Sequence, residues 1–370
     1  MVGGVVAPIL PDMVQQLHLN PAMAGNLVSF HCLTIALFSP PLGILADRIG
    51  RLRVLVPSLL LYAVFGVAEA FVSDIVPLLL LRGLLGAASG GIAAASLGLL
   101  TSLYEGETRT QALGYATSSL TIAGILFPLL GGIVGATHWQ WTFGLYAVSI
   151  PMAFLASVVL REKRSTSQPR KNKANDKLRQ VLQQPQVLFM LLLVALCSVI
   201  TYAVIIYTPL YLKTAIGAGP VLNGIFLASR AVGAATVSAL GTKWLIRRLG
   251  SQKMVAVGFL LMALTLLTIP VLNQIGWILS AAIVFGVGLG ITLPSLYGCL
   301  ADLAPEHLRS SLLASGTGAG FLGQFLCPIL LAPVVHPHNL TGVFYTTAGI
   351  AVIVAIVMLV KEKWGRNPEG

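Results

Sequence analysis

The feature that most constrains this chain is a set of long stretches without Asp, Glu, Lys or Arg. Residues 110–160 and 310–360 carry no charged side chain over 51 positions each, and residues 254–301 carry none over 48. An apolar helix of about 20 residues crosses the roughly 30 Å hydrocarbon layer of a bilayer, so each stretch has room for two spans. With 56% hydrophobic and 9% charged residues, a soluble fold is excluded. The sequence predicts an all-α, polytopic membrane protein.

The basic residues predict which loops face the cytoplasm. Of the 23 Lys and Arg residues, 20 fall in alternate loops or in the C-terminal tail, on one side of the predicted membrane. Only Lys213 lies on the opposite side, and Arg82 and Arg230 fall within predicted spans. The positive-inside rule therefore places the basic loops and the C-terminus in the cytoplasm. The formal charge of +11 reflects topology, and no nucleic-acid partner is expected.

Landmarks recur at an offset of 200 residues, which predicts two related six-helix halves around a central cavity. The predicted N-terminal half is 1–160, a basic cytoplasmic linker is 161–185, the C-terminal half is 186–360, and a cytoplasmic tail is 361–370. The paired landmarks are Arg109 and Arg309, Pro128 and Pro328, Gly50 and Gly250, Gly86 and Gly286, and Gly90 and Gly290.

The first predicted helix is short. Residues 1–11 supply about 17 Å of helix, roughly half of a bilayer. We therefore expect eleven complete spans plus a partial first helix, either because this helix lacks its first half or because Met1 is an internal methionine. The segment has no basic n-region, so it does not resemble a signal peptide.

Segment 43–53, GILADRIGRLR, resembles the loop between helices 2 and 3 of the major facilitator superfamily. Residues 8–11, PILP, are similar to the end of helix 1 in its drug:proton antiporter branch, and Arg82 with Gly86 resembles the R-x-x-x-G of helix 4 in that branch. The resemblance implies a secondary transporter that is a monomer in the plasma or bacterial inner membrane.

The fifth predicted helix resembles the antiporter signature of the same branch, at positions Gly114, Pro128, Gly131 and Gly132. Two of the signature glycines are replaced by Ala123 and Phe127, and Leu85 replaces the usual glutamine of helix 4. A kinked helix rich in small residues suits a gating element, although ordinary membrane packing would use the same residues.

The 43–53 loop is a second gating candidate. Its glycines allow close approach and a tight turn, and Asp47 places a negative charge that could dock on the N-terminus of the helix that starts near Arg309. The alternative is that these charges only anchor a short loop. The gating candidates in this loop are Gly43, Asp47, Arg48, Gly50 and Arg51.

Charged and titratable residues within spans are candidates for proton coupling, because a charge in the membrane is costly unless it faces a partner or a cavity. Arg82, Glu69 and His31 meet this description, with Arg82 favouring the ionised form of a nearby carboxylate. The alternatives are an interfacial, solvated Glu69 near Asp74, a structural Arg82 and a packing His31. The candidates for lining a substrate cavity are Arg230, Tyr202, Tyr207 and Gln324.

The function predicted from these features is proton-coupled export of a small organic or drug-like compound by alternating access. A symporter or facilitator for sugars or organic acids, and a transport-dead sensor or scaffold, are the alternatives. An enzyme would need clustered His, Asp or Ser/Lys groups at one depth, and the sequence shows none. The expected partners are a small-molecule substrate, protons and the lipid bilayer, with no cofactor and no metal.

Overall fold

The computed structural model describes residues 2–104, 106–160, 179–240, 248, 250–305, 308–336 and 339–366. Most of the described residues are helical. They contain no β-strand, only a bridge between His336 and Asn339. The predicted linker lies largely outside the described residues. The α-helices used below are α1 (Val2–Val6), α2 (Leu10–Gln16), α3 (Pro21–Ile49), α4 (Arg51–Ala68), α5 (Ile75–Leu103), α6 (Gly106–Gly135), α7 (Ser149–Val159), α8 (Pro185–Ile216), α9 (Pro220–Leu240), α10 (Ser251–Thr268), α11 (Ile275–Asp302), α12 (Arg309–Leu331) and α13 (Thr341–Arg366).

Eleven helical segments of the described residues are long and apolar enough to cross a membrane, which confirms the predicted fold class. They range from Pro220–Ala239, with 20 residues, to Pro185–Ile216, with 32 residues and a mean hydropathy of 2.7. The partial first helix consists of α1, a 3₁₀ turn at Ala7–Ile9, and α2. Pro8 and Pro11 lack the backbone N–H that an unbroken α-helix needs, which explains the interruption.

One span differs in kind from its prediction. The sequence predicts two spans in the uncharged stretch 110–160, and the structure forms the second of them as a 3₁₀ helix at Trp139–Val148 that continues into α7. A 3₁₀ helix has three residues per turn, so side chains three positions apart lie above one another. This geometry matters for the candidate site described below.

The chain forms two compact units. The first comprises Met1–Ser167 with Gly217–Gly224, and the second comprises Gln168–Ile216 with Ile225–Gly370. In the first unit, α3 crosses α5 at Gly86. The two helices are so close there that a Cβ at Gly86 would lie 2.4 Å from the backbone oxygen of His31. A second close approach joins α6 to α1, since a Cβ at Gly131 would lie 2.3 Å from the Val5 carbonyl oxygen.

The second unit repeats these features. Helices α10 and α11, with the 3₁₀ turn Ile269–Val271 between them, begin 200 residues after α4, the turn Glu69–Phe71 and α5. Gly50 and Gly250 precede the two equivalent helices, with φ of 113° and 81°, a region that favours glycine. The repeat inferred from sequence landmarks is therefore present in the element boundaries.

Candidate functional site

A buried ion pair lies inside the first unit. Arg82 is seven residues into α5, and its Nη2 lies 2.8 Å from Oε2 of Glu69, the first residue of the 3₁₀ turn after α4. Both side chains are 0% exposed. The interpretation of Glu69 as a solvated interfacial carboxylate is therefore wrong, because the turn directs its side chain into the unit while Asp74 is the exposed acid.

Three aromatic rings complete the environment of this pair. The centre of the Arg82 guanidinium lies 5.5 Å from the centroid of the Phe143 ring, a cation–π contact. Tyr146 also lies within electrostatic reach of Arg82, and its ring meets that of Tyr62 edge to face at a centroid distance of 5.3 Å. Arg82 thus has one anionic partner, Glu69, and lies against neutral aromatic side chains.

The 3₁₀ helix explains why two of these rings reach the same cation. Phe143 and Tyr146 are three residues apart, so they stack with an interplanar angle of 20°. Gly66 of α4 makes room for Tyr146, because a Cβ there would lie 2.5 Å from that side chain. At the start of the segment, Trp139 Nε1 donates a 2.6 Å hydrogen bond to Gln16 Oε1 at the end of α2.

Sequence reasoning did not identify Phe143, Tyr146 or Tyr62. The available signal was the aromatic density of the uncharged stretch 139–146, WQWTFGLY. Four of its eight residues are aromatic, which is unusual in a chain with 8% aromatic residues. This stretch supplies the neutral partners of an otherwise isolated ion pair.

His31, the third coupling candidate, lies on α3 where that helix crosses Gly86 of α5. The side chain is 4% exposed, and its Nε2 lies 3.4 Å from the sulfur of Cys32. Its Nδ1 is buried without a hydrogen-bond partner among the described residues. The structure therefore places His31 in the same unit as the ion pair, on the neighbouring helix.

The second unit lacks the ion pair. Ile269 and Ala282 stand at the positions equivalent to Glu69 and Arg82, and both are 0% exposed. Its intramembrane charge is Arg230 on α9, a half-buried residue whose backbone oxygen faces Gly286 as that of His31 faces Gly86. Arg230 is thus the structural counterpart of His31. An arginine at mid-helix costs about 2.5–3.5 kcal/mol on membrane-insertion scales.

The remaining cavity candidates also lie in the second unit. Tyr202 and Tyr207 of α8 are 3% and 0% exposed, and Gln324 of α12 is half-buried. The Tyr207 hydroxyl is buried without a hydrogen-bond partner among the described residues. The two tyrosines are five positions apart, so about 140° of helical rotation separates them, and they occupy different faces of α8.

The loop around Gly50 is held by one arginine. Arg51 forms an ion pair with Asp47, with Nη2 3.3 Å from Oδ1, and its Nη1 donates to the Gly98 carbonyl of α5. Arg51 therefore joins α3, α4 and α5, while the Asp47 side chain remains 64% exposed. Gly43 faces Ala94 of α5, and Arg48 is exposed.

The glycines of α6 divide into two kinds. A Cβ at Gly131 or Gly132 would lie 2.3 or 2.4 Å from a backbone oxygen, so both positions require glycine for close helix packing. Gly114 has no atom within 4 Å of such a Cβ. Pro128 lies between them and is buried. The described residues contain no cluster of three His, Cys, Asp or Glu side chains that could hold a metal.

Eleven apolar spans, an internal repeat and charges buried within the spans define a polytopic membrane protein of the transporter class. The model of the Major Facilitator Superfamily matches residues 1–328 and again 244–369. The chain belongs to this superfamily, which confirms the resemblance seen in the sequence, and it is therefore a transporter rather than an enzyme.

Similar proteins agree with this assignment. The chain is 25% identical to the class E tetracycline resistance protein of Escherichia coli over 96% of its own length and 90% of the relative. It is 26% identical to the multidrug resistance protein MdtG of Klebsiella pneumoniae over 95% and 88%. A solved bacterial homolog of the human lysosomal transporter Spinster shares the fold, with a TM-score of 0.76, 15% identity and coverage of 98% and 93%.

Proposed function

We propose that this transporter exports small organic or drug-like compounds in exchange for protons, by alternating access between its two units. The similarity to relatives named for tetracycline and multidrug resistance supports an export role. The protein would act as a monomer in the plasma or bacterial inner membrane, with the linker and C-terminus in the cytoplasm. The positive-inside distribution of Lys and Arg supports this orientation.

The observation that carries proton coupling is the buried pair of Glu69 and Arg82. A carboxylate can bind and release a proton, whereas a guanidinium stays charged, so Glu69 would carry the proton and Arg82 would supply a fixed charge. When Glu69 is protonated, its attraction to Arg82 weakens. The Phe143 ring would still contact the cation, so protonation would loosen the contact between the turn after α4 and helix α5.

The second part of the proposal is the gate. Asp47 is exposed apart from its contact with Arg51, so its carboxylate is accessible for docking on the start of α12 when the cytoplasmic side closes. The part of α6 around Gly131, which packs on α1, would move with α1 as a rigid piece. Gly43 and Gly50 would permit the turn and the close contact that the loop needs.

Transport in proteoliposomes tests proton coupling. Wild-type protein should accumulate tetracycline or another drug-like probe against its gradient when a pH gradient is imposed. Glu69→Gln and Arg82→Gln should lose this accumulation and keep counterflow, an exchange that needs no proton gradient. Asp74→Asn is the matched control, because Asp74 is an exposed acid five residues from Glu69, and it should behave as wild type.

Two outcomes would contradict the proposal. Accumulation at wild-type rates in Glu69→Gln would remove Glu69 from the coupling path. If wild-type protein showed neither accumulation nor counterflow of tetracycline or any other drug-like probe, a sensor or scaffold that does not transport would be favoured.

A further inference from the structure

Arg230 lies near the middle of its span. Helix α9 has 21 residues from Pro220 to Leu240, and Arg230 is the eleventh of them. At 1.5 Å per residue it lies about 15 Å from the start of the helix, about halfway across a bilayer. The second unit therefore carries a positive charge close to the membrane midplane.

Within the part of the second unit that the structure describes, no carboxylate forms an ion pair with this charge. Between residues 180 and 361 the acids are Asp302, the last residue of α11, and Glu306, which follows it. Among the described residues no carboxylate forms an ion pair with Arg230, and its Nε is buried without a hydrogen-bond partner. Cations in apolar surroundings are normally paired, so an anion would offset the cost of placing this half-buried guanidinium within the span.

The equivalent helix crossing in the first unit does not need a cation. In each unit one helix crosses another at an equivalent glycine, Gly86 or Gly286. The residue at the crossing is His31 in the first unit, whose side chain can be neutral, and Arg230 in the second. In the first unit the buried arginine, Arg82, has its own carboxylate at 2.8 Å. The second unit has Ile269 and Ala282 at the positions of that pair, so these positions offer Arg230 no carboxylate.

We propose that Arg230 binds an anionic group, a carboxylate or a group of similar charge and geometry, on the compound that the protein transports. A guanidinium offers two parallel N–H donors to a carboxylate, and the apolar surroundings strengthen the pairing. This inference rests on the proposed transport function and specifies its substrate class as amphiphilic acids. Neutral analogues of the same shape bind more weakly because they leave Arg230 unpaired.

Thermal unfolding of the purified full chain in detergent tests the site with matched probes. The probes are 1-naphthoate, indole-3-acetate and 4-biphenylcarboxylate, each paired with its primary amide. The carboxylates should raise the Tm of wild-type protein, and the amides should do so only at higher concentration. Arg230→Gln should weaken carboxylate binding about 10- to 100-fold and leave amide binding unchanged.

Two further variants separate charge from structure. Arg230→Lys should retain part of the carboxylate effect, since it keeps the charge and loses the paired donors. Lys213→Gln, which removes a cation at the end of α8 in the same unit, should bind carboxylates as wild type does. Carboxylate binding that survives in Arg230→Gln, or amides that bind as tightly as acids, would overturn the proposal. So would the absence of any Tm shift with all three carboxylates.

Transport by the same proteins keeps this test distinct from that of proton-coupled export. If the protein accumulated tetracycline under a pH gradient but bound none of the carboxylates, the proposal of proton-coupled export would stand. The proposal that Arg230 is an anion site would be rejected. Carboxylate binding that depends on Arg230, together with no effect of a pH gradient on any probe, would retain the anion site and remove proton coupling.

Discussion

Replacing both members of the buried ion pair should harm the protein far less than replacing either one. We consider Glu69→Leu, Arg82→Met and the double variant, which substitute apolar side chains of comparable volume. Two unit charges 2.8 Å apart attract by about 6 kcal/mol at an effective dielectric constant of about 20. Much of this attraction offsets the cost of removing both charges from water, so the pair itself adds little net stability.

The single variants leave one buried charge without its partner. Each should lower the free energy of unfolding by about 3–5 kcal/mol, whereas the double variant should lie within about 1–2 kcal/mol of wild type. The second unit already shows that this fold accepts apolar residues here, since Ile269 and Ala282 are the equivalents. Arg82→Met should be the milder single variant at low pH, because a stranded carboxylate can be neutralised by a proton and a stranded guanidinium cannot.

The assay is unfolding of the purified protein in mixed detergent micelles, followed by tryptophan fluorescence for all four proteins at one pH. The coupling energy is the difference between the double variant and the sum of the single variants. We expect this coupling to be several kcal/mol. Additive effects of the two single variants would refute the reasoning, because they would mean that Glu69 and Arg82 do not stabilise each other.

Three further predictions concern topology, the gate and helix packing. A cysteine introduced at the exposed Gln183 should resist a membrane-impermeant thiol reagent added outside intact cells and react in inverted vesicles; labelling from outside would reverse the proposed topology. Asp47→Asn should change the free energy of unfolding by less than about 1 kcal/mol, because its ion pair is exposed, yet slow transport in vesicles; an unchanged turnover would remove Asp47 from the gate. Gly131→Ala should destabilise the protein by about 1–3 kcal/mol through its clash with the Val5 carbonyl, whereas Gly114→Ala in the same helix should be neutral or slightly stabilising. Equal melting temperatures of these two alanine variants would contradict the packing of α1 on α6.

The spans and the repeat could be read from the sequence because both depend on properties that are local in the chain. A bilayer excludes charge over a fixed length, so uncharged stretches of 48–51 residues predict pairs of helices regardless of packing. Gly50 and Gly250 mark equivalent turns because each turn has a positive φ. The pairing of Arg82 with Glu69 was also accessible, since the cost of an isolated intramembrane charge requires a partner nearby.

The aromatic part of the site could not be predicted from the sequence in this way. Phe143 and Tyr146 lie directly above one another because the segment is a 3₁₀ helix, whereas an α-helix would separate residues three positions apart by about 60°. Tyr146 also depends on the gap at Gly66, a feature of tertiary packing. Spans that are apolar on all sides give no amphipathic signal, so the faces of Tyr202 and Tyr207 could not be assigned from the sequence.

The central claim is that the Glu69–Arg82 pair couples protons to transport, and the double variant Glu69→Leu/Arg82→Met tests it most directly because its fold should be preserved. The measurement compares counterflow and pH-gradient-driven accumulation of one compound in proteoliposomes that contain wild-type or double-variant protein. The account predicts that the double variant retains counterflow and loses accumulation. Accumulation at the wild-type level by this variant, which has neither charge, would contradict it.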